Sequence, residues 1–139
     1  MSKQIRKSFV FALGGHEFRI DNYFNSYHYG FSHTSKVFMD GFFQAEAVVG
    51  YINRTWECYD YQTSAKRAVC NWIDAIKASK KEEYKNLHGL QRMTKRHNEN
   101  FAAELENDSF LQLLRQVYDL LKNWTGWNIN KPFEEVYYA

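Results

Sequence analysis

Residues 8–51 alternate between apolar and polar positions with a period of two, the pattern of strands with one face buried. Ser8 to Leu13 and His16 to Tyr23 flank Gly14-Gly15, whose permissive backbones suit the positive φ angles of a two-residue hairpin turn. Pairing across that turn sets Leu13 opposite His16, Phe11 opposite Phe18 and Phe9 opposite Ile20, all on one face. Ser8, Val10, Ala12, Glu17, Arg19 and Asp21 take the other. Asp40-Gly41 marks a second tight turn. Unbroken pairing around it puts Phe38 opposite Phe43, Lys36 opposite Ala45 and Thr34 opposite Ala47. That register turns Phe38, Phe43, Ala45, Ala47, Val49 and Tyr51 toward the core, with Ala45 and Ala47 small enough for a helix to come close. Phe24 to Gly30 joins the two hairpins and extends the third strand.

Near residue 60 the period changes to that of a helix. Asp60, Thr63 and Ser64 are candidate caps for a first helix, in which Ala65, Val69, Trp72, Ile73 and Ile76 recur before an expected end near Ser79. Leu87, Leu90, Met93, His97, Phe101 and Leu105 mark a second helical stretch, weakened at Gly89. Asn107-Asp108-Ser109 is a break and a cap. A third helix then carries Phe110, Leu113, Leu114, Val117, Tyr118, Leu121 and Trp124. Residues 125–139 hold Pro132 and a set of aromatics that suggest a tail docked on the body. The expected class is α+β: a four-stranded antiparallel sheet of two hairpins covered by two to three C-terminal helices. It forms one domain over 1–139, with the sheet in 1–60, the helices in 61–124 and the tail in 125–139. A sheet with one apolar face needs a cover, and the helical half is the available one.

Composition changes this picture little. A chain of 139 residues, 45% hydrophobic and 24% charged, has the size and make-up of one self-sufficient domain. Aromatic residues reach 18%, favouring ring-rich cores and contact surfaces. Two cysteines, Cys58 and Cys70, form neither a disulfide framework nor a zinc-spaced set, and both read as reduced thiols. No charged-then-apolar leader is expected, Met1 to Lys7 being merely basic, and no run has the length of a membrane span, so a soluble cytoplasmic protein is expected.

Charge is distributed unevenly. Residues 1–65 are neutral and residues 98–139 carry −4. Residues 66–97 hold nine basic and three acidic side chains, a net +6. The basic set is Lys66, Arg67, Lys77, Lys80, Lys81, Lys85, Arg92, Lys95 and Arg96. Such a block is either a solvated helix face partly offset by the acidic segment 98–139, or a surface for nucleic acid or an acidic partner.

No arrangement of residues demands catalysis, and no cofactor or metal is implied. His28 and His33, five apart in a strand, fall on opposite faces and have no third ligand spaced nearby. Cys70 sits beside an apolar helical stripe, where thiols are inert. Glu57 and Asp60 stand without the partners of an acid–base pair. Gly14-Gly15 fits a turn and lacks the phosphate-cradling pattern.

The densest polar–aromatic stretch is Tyr51-Ile52-Asn53-Arg54-Thr55-Trp56-Glu57-Cys58-Tyr59-Asp60-Tyr61-Gln62-Thr63. With Asn25-Ser26-Tyr27 and Gly30-Phe31-Ser32-His33, it resembles a pattern in small proteins of Gram-positive phages and plasmids, over about residues 22–75. Some proteins of this size and origin are anti-CRISPR proteins that bind a Cas effector. The resemblance therefore implies a non-enzymatic inhibitor of a host-defence nuclease, acting in the bacterial cytoplasm. Many such inhibitors imitate DNA through strong acidity. This mildly basic chain departs from that pattern, which favours direct docking on the effector or contact with its guide RNA. Arg54, Trp56, Glu57 and Tyr59 are the expected partner-binding residues, Arg and Trp being enriched at binding hot spots. A structural account stands beside this one, in which Trp56 plugs the sheet–helix corner and Arg54 pairs with Glu57.

Overall fold

The structure is a computed structural model that describes the backbone of residues 5–27, 30–52, 61–123 and 135–136, and the side chains of 8–25, 32–50 and 61–123. Four antiparallel strands, β1 (Ile5–Leu13), β2 (His16–Tyr27), β3 (Gly30–Met39) and β4 (Phe42–Ile52), are followed by helices α1 (Gln62–Leu87), α2 (Lys95–Glu106) and α3 (Ser109–Asn123). A two-residue strand, β5 (Glu135–Val136), joins β1 in parallel, and the order is β4-β3-β2-β1-β5. The fold is α+β, as the change of period predicts.

Both expected turns form. Gly14 and Gly15 have φ of +61° and +80°, and Asp40 and Gly41 have +52° and +85°, the left-handed pair that matches strand twist. Strand β2 runs on to Tyr27 and Gly30 opens β3, so Phe24 to Tyr27 belongs to the second strand, not the third. The four strands are therefore one continuous meander.

The first hairpin keeps the expected register, and Phe9, Phe11, Phe18 and Ile20 are buried. The second does not. Phe38 pairs with Phe43 as expected, but the next pair is Val37 with Ala45, which leaves Gln44 as an extra residue in β4. Ala45, Ala47 and Val49 keep their expected inward facing, while the bulge turns Phe43 outward and brings the alternate residues of β3 to the core. Lys36 pairs with Glu46 and Ser35 with Ala47, in place of Lys36 with Ala45 and Thr34 with Ala47. Val37 enters the core with Ala47 and Val49, while Phe38 and Phe43 lie on the outer face and meet edge-on at 5.7 Å. Arg19 lies over the Phe38 ring at 4.2 Å. The side chain of Tyr51 lies outside the described set.

Helix α1 packs over β3 and β4, and α3 lies alongside α1. Ala65, Ala68, Val69 and Trp72 of α1, and Leu114, Val117 and Leu121 of α3, complete the core with the inner sheet face. Small residues on both sides, Ala65 and Ala68 against Ala45 and Ala47, suit a close helix–sheet approach. At the far end α3 reaches the first turn, where a Cβ on Gly14 would stand 2.6 Å from Leu113 Cδ1.

Helix α1 does not end near Ser79. It continues to Leu87, because the Lys-Lys-Glu-Glu stretch after Ser79 consists of good helix formers. Gly89, at φ +63°, stops it: Leu90 N–H donates to Lys85 O (2.8 Å) and Gly89 N–H to Asn86 O (3.3 Å), a Schellman end. Leu90 and Met93 thus fall in the connection to α2. Helix α1 starts without a side-chain cap, and Thr63 and Ser64 lie inside its first turn. Asp60 lies outside the described residues. Thr94 caps α2 by accepting from His97 N–H, and Asp108 caps α3 by accepting from Leu111 N–H at 2.9 Å.

Two polar arrangements lock the frame. Inside, Ser35 donates to Asn22 Oδ1 (2.6 Å), and the Ser64 hydroxyl lies 2.7 Å from Ser35 Oγ and 3.2 Å from the Tyr61 carbonyl. This buried chain ties the sheet to the start of α1, next to His33, whose ring lies 4.6 Å from Tyr61 and 5.7 Å from Phe24. At the opposite end the two turns are clipped together: His16 Nδ1 stands 2.6 Å from Asp40 Oδ2, and Glu17 N–H donates to Asp40 Oδ1 at 2.9 Å.

These contacts give two stability predictions. The His16 hydrogen bond, then that from Glu17 N–H, holds the Asp40 carboxyl below its ordinary value. A depressed pKa contributes stability that is complete above the unfolded value and is lost as pH falls through the folded one. Asp40→Asn should therefore flatten the acid limb below about pH 4 in urea midpoints taken against pH, the range where an unfolded aspartate titrates. On the outer face Thr34 is fully buried, and among the described residues its hydroxyl meets no hydrogen-bond partner. Thr34→Val should raise stability by about 1 kcal/mol by relieving that desolvation, read as a higher urea midpoint at unchanged slope.

Candidate functional site

The residues expected to bind a partner from the strand–helix junction, Arg54, Trp56, Glu57 and Tyr59, lie outside the described residues, as do Cys58, Glu57's neighbour, and His28. The basic set is described in full, and the fold sorts it into three groups.

Successive residues of an α-helix turn by ~100°. With Ala65, Ala68, Val69 and Trp72 inward, Lys66, Arg67, Lys77, Lys81 and Lys85 share one sector of about 100° on the outer side of α1. Lys77, Lys81 and Lys85 repeat every four residues, a step of about 6 Å along the axis. Within that sector Asp74 is the one acidic side chain. Lys85 also approaches Glu82, at 3.6 Å.

Lys80 points differently. It turns toward α3 and binds Asp108 Oδ2 at 2.8 Å, bridging α1 to the cap of α3. This bond raises the Lys80 pKa and is the first cause of the lowered Asp108 pKa, with the Leu111 N–H second. Lys80 is thus a structural cation and leaves the candidate surface.

Arg92, Lys95 and Arg96 form the third group, all exposed around the start of α2. The two ends of this region differ electrostatically. Lys85 stands in the last turn of α1, where the helix dipole favours a cation. Lys95 and Arg96 open α2, where the dipole disfavours one, and no acidic residue occupies that first turn. Helix α2 has no fully buried residue and is held to α1 by Tyr84, whose ring lies 5.3 Å from Phe101, 6.2 Å from His97 and 4.3 Å from His88.

Among the described residues, two hollows flank this face. One, of about 200 Å³, lies between α1 and α2 beside Lys80, Tyr84, Leu87, Phe101 and Leu105. The other, of about 400 Å³, is an open groove between α1 and α3, lined by Cys70, Ile73, Asp74, Lys77, Arg115 and Tyr118 among others. Arg115 adds a cation that charge counted along the chain assigns to the net-acidic segment 98–139. Helix phase, not segment charge, brings it beside Lys77. Cys70 is a free, partly exposed thiol in the same groove. Among the described residues no three His, Cys, Asp or Glu side chains come together as a metal site, and no helix is long and apolar enough to cross a membrane. Comparison with known proteins finds no matching family, no matching curated protein and no matching solved structure.

Proposed function

We propose that this chain is a non-catalytic binding protein that docks on a bacterial defence nuclease in the host cytoplasm, a Cas effector of the kind the resemblance of residues 22–75 implies. It meets that partner with the outer face of α1 and the start of α2. The observation that carries a contact role is the placement of Lys95 and Arg96 at the positive pole of α2, beside Arg92. Cations there work against the helix, so stability gives no account of them, whereas an anionic partner surface would relieve them. The partner side is then acidic protein or the effector's guide RNA. Capture and inhibition of Cas nucleases by the purified chain is the test. Loss of cleavage on titration, with no turnover of any component, is the expected result, and failure to bind or inhibit any effector of the host range rejects the reading.

A second reading is direct nucleic-acid binding by the same face. The repeat of Lys77, Lys81 and Lys85 along one helical line favours it, since evenly spaced cations suit a phosphate backbone. A shift of naked DNA or RNA at low salt, without any nuclease present, separates it from the first.

A further inference from the structure

The strand order leaves β4 at one margin of the sheet, whereas β1 at the other end receives β5. Among the described residues no strand pairs with the far side of β4. Strand β4 has 11 residues and contains no Lys, Arg or Pro, the side chains that commonly block edge pairing. Three of its apolar side chains are open to solvent: Phe42 at 73%, Phe43 at 52% and Val48 at 56% exposure. Among the described residues the Asn71 side-chain amide of α1 reaches its margin and donates to the Glu46 carbonyl at 3.1 Å. That bond shows the Glu46 carbonyl aimed away from β3. Antiparallel ladders alternate, so Val48 and Gly50 aim their backbone groups the same way. The bulge at Gln44 bends the turn end away and confines further pairing to the stretch beyond it.

We propose that β4 pairs antiparallel with β4 of a second copy, about a two-fold axis at Val48, joining the two sheets edge to edge. Charge selects this register. Centred on Val48, Glu46 of each copy faces Gly50 of the other, so the one charged side chain of β4 meets no like charge and finds room. Centred on Glu46, two carboxylates would oppose each other. Val48 then lies against its own symmetry mate, and an isologous contact of this kind is the commonest route to a dimer. Helix α1 permits the approach. From Asn71, steps of four and three lead to Ala75 and Ala78, both exposed and small, so between Arg67 and Glu82 this side of the helix carries little bulk.

Sedimentation velocity between about 1 and 100 µM tests this, a range that brackets micromolar association. A Cβ at Gly50 meets nothing within 4 Å, so substitutions there leave the protomer intact, which thermal melts will verify. The wild-type chain should dimerise. Gly50→Glu, which opposes Glu46 of the other copy, should weaken the dimer at least tenfold, and Gly50→Lys should tighten it several-fold. Val48→Pro, which removes a bridging N–H, should give a monomer. A wild-type monomer throughout the range overturns the proposal. So does a dimer indifferent to the sign of the charge at position 50, or a foreign strand seated on β4 without self-association.

Discussion

Phe18→Ala should lower the free energy of unfolding by about 3–5 kcal/mol, the range for emptying a buried phenylalanine site that cannot collapse. Phe18 is wholly buried on the inner sheet face, near the turn end of β2. Its ring stacks on Phe11 at 5.3 Å and lies 6.3 Å from Trp72, which in turn meets Phe110 edge-on at 5.8 Å. The site therefore joins the first hairpin, α1 and α3, and no single neighbour can move in without breaking another contact. Small domains are stable by about 5–15 kcal/mol, so this one change takes a large share. Phe43→Ala is the matched comparison. A simple alternating register would make it equally costly. The bulge places Phe43 on the outer face, half exposed and touching Phe38, so its loss should cost about 1 kcal/mol, the worth of an aromatic pair. Urea unfolding of both variants, followed by tryptophan fluorescence and circular dichroism, measures the difference. Equal losses would mean that the second hairpin carries no bulge.

That comparison shows where the chain's pattern is readable and where it is not. The Gly14-Gly15 hairpin follows from turn chemistry and period two because its ladder is regular beside the turn, and the same holds for the Asp40-Gly41 turn itself. The bulge at Gln44 has no local signal. Phe42-Phe43-Gln44-Ala45 reads equally well in either register, and the choice is made by packing. With the extra residue, Ala45 and Ala47 still face α1, and Val37 and Ser35 stand beside them on the inner face in place of Lys36 and Thr34. The length of α1 is half legible: the apolar stripe thins after Ile76 and suggests an end near Ser79, whereas the helix formers that follow carry the helix on to the stop at Gly89. The buried Asn22–Ser35–Ser64 chain is invisible in sequence because its members come from β2, β3 and α1 and carry ordinary polar side chains. For the candidate site, the nine cations are legible as a block along the chain, but their roles are not. Only helix phase separates Lys80, which holds Asp108, from Lys77 and Lys81, and only tertiary packing brings in Arg115.

This sorting makes charge reversal on the helical face the sharpest functional test. Lys77, Lys81, Arg92 and Arg96 each lack an ion-pair partner among the described residues, so replacing all four with Glu leaves the internal bridges intact. If the face binds duplex nucleic acid through one phosphate per cation, the slope of log K against log salt should shrink in magnitude by about 3.6. Those four contacts alone would account for about a hundredfold loss of wild-type affinity between 50 and 200 mM salt. Lys80→Glu is the contrasting variant. It breaks the bond to Asp108 and should lower the melting temperature while leaving the salt slope unchanged. If the partner is instead an acidic protein surface, the fourfold variant should lose nuclease capture and inhibition, and neither it nor the wild type should shift naked DNA or RNA. A fourfold variant that retains both capture and nucleic-acid affinity would show that the face is merely solvated. The dipole argument gives the order within the set: Arg96, in the first turn of α2, should matter more than Lys77, because at that pole the partner's charge relieves both the side chain and the helix end.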